Sequence, residues 1–117
     1  SEEGQLIELY RQTDPQRALA LAHASWLRSG DSRRLIDAIQ LAEYLQDWEQ
    51  LETMVAEAEE AGLGTQLPVL LAKGLLAERN GDADKAEHIY LKALAANPGD
   101  LVLRERLLWL YVDGRNL

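Results

Sequence analysis

The sequence predicts an all-α chain: a right-handed α-solenoid of helix-turn-helix repeats with about seven antiparallel helices. Three observations carry that prediction. Ala/Leu-rich stretches fall on one another at spacings of 33 and 35 residues. Within each stretch, apolar or small side chains recur at helical intervals. Aspartate, proline or glycine stands where one helix should stop and the next begin.

The best-formed stretch, residues 67–98, sets Leu70, Gly74, Ala77, Gly81, Ala86, Tyr90, Ala93 and Pro98 at fixed offsets. The Gly74 position recurs as Leu6, Ile39 and Leu108, the Ala86 position as Ala18 and Leu51, the Tyr90 position as Ala22 and Val55, and the Ala93 position as Ser25 and Ala58. All are apolar or small. Ile39 and Leu51 are bulky where residues 67–98 have Gly74 and Ala86, so the second repeat should hold its helices further apart or repack locally.

The elements follow in order. A helix over about 3–12 leads to Asp14 and Pro15, and a first-turn proline opens a helix over 15–29 without losing a helical hydrogen bond. Gly30 ends it. Helices over 32–45 and 47–61 come next, with Asp47 recurring at the place of Asp14, and Gly62 closes the fourth. The segment Ala61–Gln66 reads as an enlarged turn inside one continuous array. Helices over 67–80 and 83–96 flank Gly81 and Asp82, and Pro98 after Asn97 stops the sixth. The seventh spans 100–112. Asp14, Asp47 and Asp82 are each placed to accept from free N–H groups at a helix start. The implied layout over 1–117 is repeat 1 at about 1–31, repeat 2 at 32–66, repeat 3 at 67–100 and a half repeat at 101–117. Ending on Trp109, Leu110 and Tyr111 without a polar capping helix, the array is expected to be a fragment of a longer solenoid.

Composition narrows the function classes. With 47% apolar and 27% charged residues the chain is ordinarily globular, and no apolar run is long enough to span a bilayer. Zero cysteines exclude disulfides, thiol catalysis and thiolate metal sites. The net charge of −8 lies wholly in the first half: residues 1–60 hold 13 acidic and 5 basic side chains, residues 61–117 seven of each. Clustered Lys and Arg for phosphate binding are missing, so nucleic acid is not an expected ligand. On the fourth helix Glu49, Glu52, Glu57, Glu59 and Glu60 form a candidate acidic docking face, weighed against a plain solvated face.

No catalytic constellation is visible. His23 and His88 lie in different repeats, outside any metal-binding spacing, and read as solvated surface histidines. Glu78 beside Asp82 and Lys85 reads as solvated pairing. There is no phosphate loop, nucleophile elbow or zinc spacing. The chain is expected to be no enzyme, with no cofactor and no metal.

The offsets of residues 67–98 resemble the tetratricopeptide repeat. In that family the first helices of successive repeats line a groove, which implies as candidate partner-binding residues Ile7, Tyr10 and Arg11; Ile36, Gln40, Glu43 and Tyr44; Leu71, Leu75, Glu78 and Arg79; and Glu105, Trp109 and Val112. Packing between helices is the competing role for Leu71, Leu75 and Trp109, and Trp26 and Trp48 read as core. Family members that clamp the carboxylate of a chaperone tail use a Lys/Asn/Arg set where this chain has Ile36, Gln40, Leu71 and Leu75, so that role is not expected.

The closing segment Leu107–Arg115, read as helix and turn, together with the Arg-rich, acidic, cysteine-free body, resembles the periplasmic repeat arrays of bacterial exopolysaccharide export proteins of the Pel type. The resemblance implies a periplasmic scaffold for export and biofilm formation, in a parent continuing into an outer-membrane β-barrel. Its partner would be a protein, a polysaccharide deacetylase or hydrolase. The alternatives are a surface guiding the polysaccharide itself, with Tyr10, Tyr44 and Trp109 as stacking faces, and a generic adaptor of another bacterial assembly.

Overall fold

The computed structural model describes residues 1–115, which are helical throughout apart from turns. The helices are α1 (Glu2–Thr13), α2 (Pro15–Ser29), α3 (Ser32–Leu45), α4 (Trp48–Glu60), α5 (Leu67–Arg79), α6 (Ala83–Ala96) and α7 (Leu101–Arg115). The sequence places six of the seven within a residue or so of these bounds. The seventh runs further than the expected helix and turn: Gly114 keeps a negative φ, unlike Gly30, Gly62 and Gly81, so it does not end the helix.

Aspartates start most of these helices. Asp14, Asp31, Asp47 and Asp82 accept at their side chains from the N–H groups of Arg17, Arg33, Gln50 and Lys85 at 3.0–3.2 Å. Asp100 accepts from Leu103 at 2.9 Å. Each such cap is worth about 1 kcal/mol. Asp47 is therefore a cap, which moves the start of α4 to Trp48. Three helix ends share one closing bond, from the second or third residue past the helix to a carbonyl five residues back: Asp47 to Ala42, Leu63 to Ala58 and Asp82 to Ala77. The residue just before the donor is left-handed each time, Gln46 (φ 58°), Gly62 (φ 80°) and Gly81 (φ 77°).

The chain forms two compact units divided within the 61–66 segment, the first ending at Gly64 and the second starting at Thr65. In the first, α1 packs on α2, α2 on α3 and α3 on α4. Its buried side chains include Ala18, Leu19 and Ala22 of α2, Leu35, Ala38, Ile39 and Ala42 of α3, and Leu51, Met54, Val55 and Ala58 of α4. Ile39 and Leu51, too large for the repeat pattern, are both fully buried and so repacked into the core. Glu3 ties α1 to α2, accepting from Ser25 at 2.6 Å and from Arg28 at 2.7 Å to both carboxylate oxygens. The hydrogen bonds from Arg28 and then Ser25 hold the Glu3 carboxyl below its ordinary pKa.

The second unit packs α5 on α6 and α6 on α7. Ala77, Ala86, Tyr90, Ala93, Leu103, Leu107 and Leu110 form its core, with Leu67, Leu70, Leu71, Ile89 and Leu94 against it. α7 is apolar on its other sides too: Leu101, Val102, Leu108, Trp109 and Val112 are exposed.

Two register assignments are corrected. Leu6 is 40% exposed and Leu108 59%, whereas their neighbours Ile7 (1%) and Leu107 (6%) take the buried positions. The cause at the first site is turn length: only Asp14 separates α1 from α2, against Asn80, Gly81 and Asp82 between α5 and α6. The shorter turn draws the buried stripe of α1 one residue toward α2. At the other end, Leu103, Leu107 and Leu110 repeat Leu70, Gly74 and Ala77 at a spacing of 33 residues, one less than counted to Leu108.

Candidate functional site

First helices of neighbouring pairs approach one another within each unit, and the side chains on their outward faces form a cleft in each. In the first unit a cleft of about 330 Å³ is lined by Arg11 of α1 and by Gln40, Leu41 and Tyr44 of α3. Residues 40, 41 and 44 share a face because α-helical neighbours recur at three and four residues. Tyr44 is 75% exposed, a large aromatic surface left in water. Arg11 is held in place: its Nη2 donates to Asp37 Oδ1 at 3.3 Å, and its water-excluded Nε lies 3.4 Å from Glu8 Oε2 without hydrogen-bond alignment. Asp37 also accepts from Arg34 at 3.3 Å, so Arg11 serves first to join α1 to α3.

In the second unit a cleft of about 360 Å³ is lined by Leu75 and Glu78 of α5 and by Val102, Glu105, Arg106 and Trp109 of α7. Trp109 is 56% exposed. Glu78 accepts from the Tyr90 hydroxyl at 2.5 Å, which replaces the solvated pairing with Asp82 and Lys85 that the sequence suggests; Asp82 is the cap of α6. Burial, and then the bond to Glu78, push the Tyr90 hydroxyl well above the ordinary tyrosine pKa. Arg106 Nη1 donates to the Leu71 carbonyl oxygen at 3.4 Å.

The sequence-derived groove residues thus divide. Arg11, Gln40 and Tyr44 come together in one cleft, and Leu75, Glu78, Glu105 and Trp109 in the other. Ile7 is a core residue, buried because the short turn at Asp14 rotates it inward. Tyr10 is half-buried and has the Arg17 guanidinium over one face of its ring, the central carbon 5.3 Å from the centroid. Leu71 packs against the core of the second unit. Ile36 and Glu43 are half-buried, and Arg79 and Val112 exposed, outside both clefts. Trp26 and Trp48 are half-buried rather than core.

The acidic face of α4 is smaller than the sequence suggests. Glu49, Glu52, Glu59 and Glu60 are exposed and lie within one arc of the helix. Glu57 is half-buried at the edge of that arc, with Oε1 2.7 Å from His23 Nε2 on α2. His23 is accordingly a packing residue linking α2 to α4 and no solvated histidine. It also edges a third hollow, of about 320 Å³, with Asp47, Glu49, Gln50, Thr53 and Met54. Three cleft residues escape the sequence pattern, Leu41, Val102 and Arg106. Val102 stands seven residues before Trp109, two turns along the same face, and that spacing was the available signal.

Among the described residues no group of three or more His, Asp and Glu side chains could hold a metal ion, and no helix is long and apolar enough to cross a membrane. Paired helices joined by one- to three-residue turns, small residues at the crossings and open clefts on the first helices define a helical-repeat protein of the kind that presents binding surfaces. A family model described as the tetratricopeptide repeat matches residues 1–116, and the chain belongs to that family. No curated protein and no solved structure matches it. Membership points to protein partners and an interaction scaffold.

Proposed function

We propose that this chain is a non-catalytic docking scaffold that holds a protein partner in its first-helix clefts. The observation that carries this is the pair of exposed aromatics, Tyr44 and Trp109, each at the mouth of a cleft in its own unit. Aromatic side chains in open clefts are the usual anchors of protein interfaces. The exposed carboxylates of α4 would steer a partner carrying a basic patch. In its finer form, the partner is a periplasmic polysaccharide deacetylase or hydrolase, held during bacterial exopolysaccharide export. Support for that form is the resemblance of residues 107–115 and of the acidic, cysteine-free body to Pel-type export arrays.

The test uses the chain as immobilised bait against the periplasmic proteins of its source, beside a titration with export-type oligosaccharides. Capture of a polysaccharide deacetylase or hydrolase, lost when Tyr44 and Trp109 are alanine, is the expected result. Capture of an unrelated protein would leave only a general adaptor. Saturable oligosaccharide binding without any protein capture would favour a polymer-guiding surface.

A further inference from the structure

We propose that the cleft between α5 and α7 is a seat for a single lysine or arginine side chain of the docked protein. This rests on the scaffold reading and gives its contact a chemistry. Leu75 and Val102 supply apolar lining, and Trp109 presents a half-exposed indole beside them. The aliphatic stem of a lysine or arginine can lie along such lining while its charged head stays near water. The head then meets the indole face, where a cation is attracted by the ring.

The carboxylates decide the sign. Glu78 is committed to the Tyr90 hydroxyl. Glu105 is exposed and makes no hydrogen bond or ion pair among the described residues. Glu105 and Trp109 lie four residues apart on α7, so the carboxylate and the ring share one face of the helix. Arg106, the one cation lining the cleft among the described residues, is engaged by the Leu71 carbonyl and Tyr90. Two carboxylates against one guanidinium leave the cleft with an excess negative charge. An acidic side chain would be repelled, and a neutral sugar would gain stacking on Trp109 but nothing from the charge.

The test follows the Trp109 indole N–H signal by NMR, assigned with Trp109→Phe, during titration with the blocked peptide acetyl-Gly-Lys-Gly-amide. Its arginine analogue, its Nε-acetyl-lysine analogue and a neutral N-acetylglucosamine oligomer are titrated alongside. The lysine and arginine peptides should move the signal saturably in the millimolar range, leaving Trp26 and Trp48 unmoved. Acetylation should abolish the shift, and Glu105→Gln should weaken binding about fivefold, the scale of one exposed cation–aromatic and ionic contact. An acetyl-lysine peptide binding equally well, indifference to Glu105→Gln, or a response to the neutral N-acetylglucosamine oligomer alone would overturn the proposal. A captured partner whose affinity ignores Glu105→Gln also removes the seat and leaves the scaffold standing. Peptide binding without any captured partner does the reverse.

Discussion

Gly74 of α5 lies directly against the Tyr90 ring of α6: a β-carbon built on Gly74 would fall 2.1 Å from Tyr90 Cε1 and 2.5 Å from Cζ. No real contact is that short, and the ring is fully buried, so it has no free volume into which to retreat. The glycine is fixed by space and not by backbone angle. Gly74→Ala gains about 1 kcal/mol of helix propensity but forces the ring out of place, for a net loss of about 2 kcal/mol or more. Combining it with Tyr90→Leu should cost less than the two single changes summed, by about 1–3 kcal/mol, as thermal or urea unfolding would measure. Simple additivity would mean the two residues do not touch.

The same tyrosine gives a pH dependence. Its folded-state pKa is raised above that of an unfolded tyrosine, near 10, so above that pH the unfolded chain releases a proton that the folded chain keeps. Stability should therefore fall as pH rises beyond the ordinary tyrosine range. Tyr90→Phe should flatten that alkaline decline while lowering stability at neutral pH, because Glu78 loses its donor. Unfolding midpoints measured from pH 8 to 11 for both proteins check this.

Gln46 is the one non-glycine residue with positive φ among the described residues, at the position where the neighbouring turns use Gly62 and Gly81. The left-handed conformation costs a side-chain-bearing residue about 1–2 kcal/mol, partly offset in glycine by its greater unfolded-state freedom. Gln46→Gly should thus stabilise the first unit by about 0.5–1 kcal/mol. A lowered midpoint would show that the Gln46 side chain makes a compensating contact.

How far the sequence disclosed all this depends on which force set each feature. Helix starts were legible because Asp14, Asp47 and Asp82 act through local hydrogen bonds to the next three residues. The crossing of α5 and α6 was legible because Gly74, Ala86 and Tyr90 sit at spacings fixed by helix geometry. Ile7 and Leu107 were misplaced by one residue, since the turns at Asp14 and at 97–100 differ in length and shift the buried face. Glu57 was misplaced for another reason. Its partner His23 lies 34 residues away, and one helix alone cannot show that a carboxylate at the edge of its exposed arc meets a histidine on another helix.

Electrostatic steering is testable apart from docking. Glu49, Glu52, Glu59 and Glu60 can be changed together to glutamine, with Glu57 kept because it packs on His23. Association with the partner should slow roughly tenfold at low salt, with dissociation little changed, and the difference should shrink as ionic strength rises. Stopped-flow association rates at several salt concentrations read this directly. An unaltered association rate would reduce these carboxylates to a solvated face.

The most direct measurement is the dissociation rate of the captured protein from the wild-type chain and from its Tyr44→Ala/Trp109→Ala variant, with helicity and unfolding midpoint monitored in both. Both residues are exposed, so the variant should remain folded. If the first-helix clefts are the docking surface, the complex should dissociate at least about tenfold faster, as loss of aromatic anchors predicts. An unchanged dissociation rate from a folded variant would contradict the account.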